Sequence, residues 1–362
     1  MRFFRMASLM SLCLIAVRAG AESHAPKNVI VMISDGCGYD HVAATDYYQY
    51  GEPGRQAYQR DDFIALSMST YSFGGSYHPD VAWSDFDYVR KGATDSAAAA
   101  TAMASGEKTR NAVIAQDPHG RCLLTVLERA EELGKATGVV TSVPFAHATP
   151  ASYVAHNENR HHYAAIAAEI LYDSAADVVM GAGHPGYDND GRPVAEADLE
   201  DHEKWFAAVG GKCTWKKIRD AVAGADADGD GTPDAWTLIE SKQDFEALAQ
   251  GTELARVFGL PQVHDTLQQE RSGKDDNTCD DAPYETPLTE TIPSLETMTR
   301  GALNVLEQDH DGLFLMVEGG AVDWAGHANE LGRMIEEQID FNRAVEAVVA
   351  WVETDSSWDE TL

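Results

Sequence analysis

The chain has 362 residues, 44% of them hydrophobic and 9% aromatic, so it can bury a core worth one large domain or two modest ones and is not disordered as a whole. Its 59 acidic residues against 27 basic ones give a formal charge of −32, which repels nucleic acid and anionic membrane surfaces. The same charge repels a phosphate ester at long range, so any phosphate site must draw local positive charge from metal ions or arginine.

Arg2 and Arg5 precede an apolar run from Met6 to Val17 and the small residues Ala19-Gly20-Ala21, the pattern of an export signal cleaved near Glu22. A buried N-terminal helix is the alternative. No later stretch is long and apolar enough to span a bilayer. The expected organisation is a signal peptide at 1–21 and one domain at 22–362 that carries an insert at about 184–290. The product would be exported, to a periplasm or outside the cell.

Asn28 to Ser34 is a continuous apolar run closed by Asp35-Gly36, which reads as a buried strand delivering a carboxylate at its C-terminal end. Similar runs recur at Thr137 to Val143, Asp177 to Gly181 and Gly312 to Val317. Helical patterns lie between them at Asp95 to Ala104, Leu123 to Leu133, Tyr163 to Tyr172 and Ile292 to Leu306. This alternation predicts an α/β domain with a largely parallel central sheet and helices on both faces. Asp35, His147, Thr149 and Glu318 then fall at the C-terminal ends of strands, where such sheets bind ligands. Asn329 to Val352 carries Ile335, Ile339, Val345, Val348, Val349 and Val352 at helical spacing and should be a long amphipathic helix.

Residues 184–290 are rich in Asp, Gly and Pro and weakly periodic, and read as an irregular insert or cap outside the core sheet. Within them Asp226, Asp228, Asp230 and Asp234 alternate ahead of turn glycines like the start of a Ca2+ loop, but the twelfth position is Thr237 instead of glutamate. A solvated acidic turn is the other reading. With Cys13 in the signal, Cys37, Cys122, Cys213 and Cys279 remain; Cys213 and Cys279 flank the polar region and are expected to pair, and Cys37 reads as a small buried thiol.

Several residues point to chemistry. Thr94-Asp95-Ser96 opens an alanine-rich helix; each residue can cap it, and a serine there also sits in the positive end of the helix dipole, which favours a phosphoryl group. Glu318, Asp323 and His327 crowd a strand end beside Gly319-Gly320, with hard oxygen and borderline nitrogen donors that suit Mg2+ and Zn2+. His147-Ala148-Thr149-Pro150 supplies a hydroxyl, and Arg160 a planar fork that matches two phosphate oxygens. His156, His161 and His162 read as loop or solvent-facing histidines.

In order and spacing, Asp35, Thr94 to Ala97, His147 to Pro150 with Arg160, and Glu318…Asp323…His327 resemble the alkaline phosphatase family from about Asn28 to the C-terminus. The resemblance implies hydrolysis of small-molecule phosphate monoesters through a phosphoserine on Ser96, with two Zn2+ and one Mg2+. Asp35 would bridge a zinc and the magnesium, Thr149 and Glu318 would complete the magnesium's protein ligands, Asp323 and His327 would hold the other zinc, and Arg160 would clamp the phosphoryl oxygens. Asp95, His147 and Trp324 would stand around the phosphate pocket, and a homodimer is compatible with the family. The family's Asp-His pair and last histidine find no counterpart after Glu353, so a longer enzyme is expected, with Leu362 opening a further strand and the chain alone binding zinc poorly. A related phosphodiesterase and a non-catalytic exported phosphate or calcium binder are the alternatives; a sulfatase is disfavoured because Ser96 lies in Ser-Ala-Ala-Ala-Ala, without the Pro and Arg that sulfatases need.

Overall fold

The computed structural model describes residues 25–195, 203–221, 224–227, 232–273 and 282–362. The expected signal peptide, Asp228, Asp230 and Cys279 with its expected partnership to Cys213 lie outside the described residues.

Six strands form one sheet in the order β1-β6-β2-β3-β5-β4, and every pairing is parallel. They are β1 (Val29–Ser34), β2 (Ala136–Pro144), β3 (Val178–Ala182), β4 (Thr237–Ile239), β5 (Val257–Gly259) and β6 (Leu313–Gly319). The helices that matter for the site are α1 (Tyr39–Tyr50), α2 (Ser96–Ser105), α3 (Val126–Glu132), α4 (Ala148–Val154), α5 (Tyr163–Tyr172), α6 (Leu295–Leu306), α7 (Ala321–Ala328) and α8 (Leu331–Thr354).

Why helices cover both faces is visible in the two-residue period of the strands. In β6, Phe314 and Met316 join a core with Ala104 of α2, Leu127 of α3, Ala151 of α4 and Ile166 of α5. Leu313, Leu315 and Val317 point the other way, against Met298 and Leu306 of α6 and Phe341 and Val348 of α8. Each such side chain contributes roughly 1.5–3 kcal/mol on burial, and a strand buried on both faces reads as an unbroken apolar run. That is why the strand at Gly312 to Val317 was legible without any alternation.

The segment 184–290 does not lie wholly outside the sheet, as its composition suggested. It contributes β4 and β5, which extend the sheet beyond β3. Two strands of three residues each are too short to raise a periodic signal, although Val257 and Phe258 are fully buried. Of the expected acidic loop, Asp234 uses its carboxylate to accept the Ala227 N–H at 2.9 Å and its carbonyl to accept Arg256 at 2.8 Å. Cys37 is only partly buried, and that burial raises its thiol pKa. On the far edge, the Leu362 N–H donates to the Asn28 carbonyl at 3.0 Å and Thr361 forms an isolated parallel bridge to Asn28 beside β1.

At the N-terminal edge of the sheet, the Asp177 carboxylate accepts the Thr137 N–H at 2.8 Å and Glu131 accepts the Thr137 hydroxyl. Arg256 donates to the carbonyls of Ser174, Ala176, Ala225 and Asp234. Burial first, and then Asp177, push the Glu131 carboxyl from its ordinary 4.5 up to about 7, against the opposing hydrogen bond from Thr137. The folded state therefore holds a proton that the unfolded chain has already released between pH 4.5 and 7. Stability from this group is present below pH 4.5 and is lost as pH rises through 7. Urea unfolding at pH 5 and pH 8 should show Glu131→Gln losing less stability than the parent over that interval.

A second expectation follows from the turn after β1. Gly36 has φ of +63°, and a Cβ there would lie 2.3 Å from Asp323 Oδ1 and 3.0 Å from Asp323 Cα. Gly36→Ala must strain the backbone and displace α7, and should cost about 1–3 kcal/mol in the same unfolding assay.

Candidate active site

Parallel pairing brings the C-terminal ends of β1, β6 and β2 to one edge, with Ile33 in register with Glu318 and Thr141 in register with Glu318 from the other side. The turn after β1 carries Asp35, the end of β6 carries Glu318, and α7 begins two residues later and carries Asp323 and His327. Gly319 and Gly320 make this junction possible: a Cβ on Gly320 would sit 2.8 Å from Val143 and 3.0 Å from the Glu318 carboxyl carbon.

Ser96 is the first residue of α2. Asp95 caps the helix, its Oδ1 accepting the Ala98 N–H at 2.9 Å and its Oδ2 accepting the Ala112 N–H at 2.8 Å. Capping thus falls to Asp95 and leaves the adjacent Ser96 hydroxyl free of that role. Ala97, Ala98, Ala100 and Ala104 are buried, and their small size lets α2 lie close to its neighbours. Ser96 Oγ donates to Asp35 Oδ2 at 2.9 Å. Arg160 reaches the same place from the loop before α5, its Nη1 donating to Asp95 Oδ2 at 3.3 Å.

The electrostatics of the three carboxylates share one cause. Burial, followed by the neighbouring Asp323, raises the Asp35 pKa; the hydrogen bond from Ser96 acts the other way. Burial and then Asp35 push Glu318 up to about 8, and burial raises Asp323 against the lowering effect of His327, Arg160 and His41. Carboxylates crowded in a poorly solvated place ionise only if positive charge joins them. Glu318 accepts the Thr141 hydroxyl with one oxygen, and the nearby Thr149 hydroxyl also lowers its pKa, yet Glu318 Oε1 and Thr149 Oγ1 are both buried without a partner at hydrogen-bond geometry among the described residues. An oxygen donor set with two orphaned atoms fits a hard cation. No three His, Cys, Asp or Glu side chains among the described residues already close on a common point.

The two halves of the expected zinc pair meet: His327 Nε2 lies 3.4 Å from Asp323 Oδ2, with the imidazole 82% exposed. His147 stacks on Tyr163 at 6.2 Å and 14° and lies 5.5 Å from Trp324. Burial, then the charge of Arg160, takes its pKa down to about 3, so it is neutral. A cavity of about 1460 Å3 is lined by Asp35, Asp95, Ser96, His147, Arg160, Asp323, Trp324 and His327. Glu318 and Thr149 lie buried behind that lining.

His156 is not solvent-facing. Its ring is 15% exposed and lies 3.4 Å from Glu169 and 3.7 Å from Glu128, so it ties α3 to α5. Two residues escaped the sequence reading. Thr141 supports Glu318, and with Thr137 and Ser142 also in the same run no single hydroxyl stood out. His41 on α1 faces Asp323 and accepts the Gly38 N–H at 3.0 Å; nothing in its helical surroundings marked it.

A family model described as Alkaline phosphatase matches residues 26–361. Alkaline phosphatase 3 of Bacillus subtilis is 32% identical over 337 residues, an alignment covering 91% of this chain and 58% of that protein. The cold-active alkaline phosphatase of a psychrophilic Shewanella sp. superposes with a TM-score of 0.61 at 28% identity, covering 91% of this chain and 65% of the other. A variant of the alkaline phosphatase of the Antarctic bacterium TAB5, with Mg bound in its M3 site, superposes with a TM-score of 0.57 at 25% identity over 91% and 75% of the two chains. The chain therefore spans rather more than half the length of the Bacillus relative. With the match running nearly end to end and the fold shared, the chain belongs to the alkaline phosphatase family.

Proposed function

We propose that the protein is an exported, metal-dependent phosphatase that hydrolyses phosphate monoesters through a phosphoserine formed on Ser96. The observation that carries this reading is the Ser96 hydroxyl, held 2.9 Å from Asp35 at the start of α2 and facing the cavity that Arg160 also lines. Family membership and the relatives' names support it.

The hydrogen bond to Asp35 turns the serine proton back toward the sheet and leaves an oxygen lone pair for the cavity. Attack in line on phosphorus forms the Ser96 Oγ–P bond and breaks the bond to the alcohol oxygen, which takes up a proton and leaves. Water then cleaves the phosphoserine and releases inorganic phosphate. Throughout, the positive end of α2 and the Arg160 fork stabilise negative phosphoryl oxygens. Asp95 holds Arg160 in place at 3.3 Å. Neutral His147, packed between Tyr163 and Trp324, shapes the rim and adds no charge to it.

Asp35, Thr149 and Glu318 would hold Mg2+, whose presence in the TAB5 variant supports the assignment, and Asp35 would also share one of two Zn2+. Asp323 and His327 would hold the other Zn2+. When bound, these ions supply Lewis acidity and the positive charge that the crowded carboxylates require.

Ser96→Ala should lower hydrolysis of a monoester such as p-nitrophenyl phosphate by about a thousandfold or more, on the scale seen when other nucleophiles are removed. Chelation with EDTA should do the same, with recovery on adding Zn2+ and Mg2+. An unchanged rate in Ser96→Ala would overturn the proposal, and faster turnover of a diester than a monoester would move it to the phosphodiesterase reading.

We also propose a homodimer. Ile64, Leu66, Met68, Trp83 and Phe86 are 71–91% exposed, a concentration of apolar surface that a monomer rarely leaves open. Sedimentation or light scattering should give twice the chain mass, and Trp83→Asp with Phe86→Asp should return it to the monomer.

A further inference from the structure

Away from the catalytic edge, a second cavity of about 340 Å3 lies between the start of α6, the loop before it and α8. Its walls carry oxygen donors: the carboxylates of Glu337 and Asp340, and the hydroxyls of Ser294 and Thr297. Glu337 and Asp340 are three residues apart on α8 and so share a face.

Glu337 is the anomaly. It is 4% exposed, and its Oε1 has no hydrogen-bond partner among the described residues. Burial and then Asp340 and Glu336 push its carboxyl up to about 8, and burial lifts Asp340 to about 6. Of the neighbouring positive charges, Arg333, one turn earlier on α8, lowers the Glu337 pKa but makes no hydrogen bond to it, and its Nη2 is also buried without a hydrogen-bond partner among the described residues. Arg271 donates from Nη2 to Glu336 at 2.7 Å and also to the carbonyls of Gln268, Thr286 and Pro287. Lys242 donates to the Glu290 carbonyl at 2.8 Å, and Arg343 is exposed at the rim. Glu336 itself is satisfied, by Arg271 and by the Tyr284 N–H at 2.5 Å. A buried carboxylate without a partner costs several kcal/mol unless a cation or a proton joins it.

We propose that this cavity is a structural site for a hard divalent cation, calcium in preference to magnesium, held by Glu337 and Asp340. No three acidic, histidine or cysteine side chains among the described residues close on one point. Neutral oxygens and water therefore complete the shell, and irregularly placed protein oxygens suit the flexible six to eight ligands of Ca2+ better than the near-ideal octahedron that Mg2+ demands. The ion would tie α8 to the start of α6, where Asp340 already accepts the Leu295 N–H at 3.0 Å. It shares no ligand with the catalytic site.

The test uses Tb3+ as a calcium probe, excited through Tyr284, which lines the cavity. In chelator-stripped protein, Ca2+ should raise the melting temperature, and Tb3+ should emit on tyrosine excitation and be displaced by Ca2+. Glu337→Gln, which keeps the side chain's shape, should lose the emission and weaken Ca2+ binding at least tenfold. Asp340→Asn provides an independent second variant with the same expected loss, and circular dichroism confirms that both fold. Glu318→Gln, at the catalytic edge, should keep this class of site, which separates the result from the phosphatase reading. Unaltered Tb3+ emission in folded Glu337→Gln, or a Glu337→Gln protein as stable without calcium as the parent is with it, would overturn the proposal, since a protonated glutamic acid would then account for the residue.

Discussion

Repulsion among Asp35, Glu318 and Asp323 is the constraint on which the rest of the molecule depends. Each has its pKa raised, burial being the largest cause for all three, and none has a lysine or arginine directly bonded to it among the described residues. A fold can hold such a cluster only if strong packing elsewhere compensates, because like charges in a poorly solvated place oppose folding by several kcal/mol. The compensation comes from β6, buried along its whole length, whose side chains feed the cores on both faces of the sheet while its last residues present Glu318. Stability and chemistry therefore occupy the same strand and differ only in position along it.

The same economy governs the backbone around the site. Gly36 allows Asp323 to approach β1, and Gly320 allows α7 to start against Val143. These contacts are shorter than any side chain permits, so the carboxylates come together through missing Cβ atoms as much as through attractive contacts. On the other side of the cavity, Asp95 joins helix capping to the placement of Arg160, so that the guanidinium and the start of α2 with Ser96 are set by one residue. On the proposed function, preorganisation of this kind would place charge where a phosphoryl group needs it before the group arrives.

Buried carboxylates recur away from this edge. Glu131 and Asp177 lie beneath the N-terminal ends of the strands, among backbone donors and Arg256, and Glu337 and Asp340 line a separate cavity on α8. The first pair has hydrogen-bond partners, and Glu337 has an oxygen with none. That difference separates a titrating structural pair from a candidate cation site. It also shows that the high acidic content of the chain is not confined to its surface.

Much was legible before folding was considered. Apolar runs located four of the six strands, helical spacing located α5 and α8 nearly to the residue, and the spacing of Asp35, Ser96, Glu318, Asp323 and His327 identified the family. These are local signals: a strand buried on both faces must be apolar throughout, and a helix must place its apolar residues about four apart, whatever else the chain does. Tertiary structure alone decided the rest. It enlisted three-residue strands from the irregular segment, turned His41 toward Asp323, took His156 out of solvent and buried Glu318 Oε1 and Thr149 Oγ1 without a hydrogen-bond partner among the described residues. Each of these depends on which distant residues share a space, and a one-dimensional pattern carries no term for that.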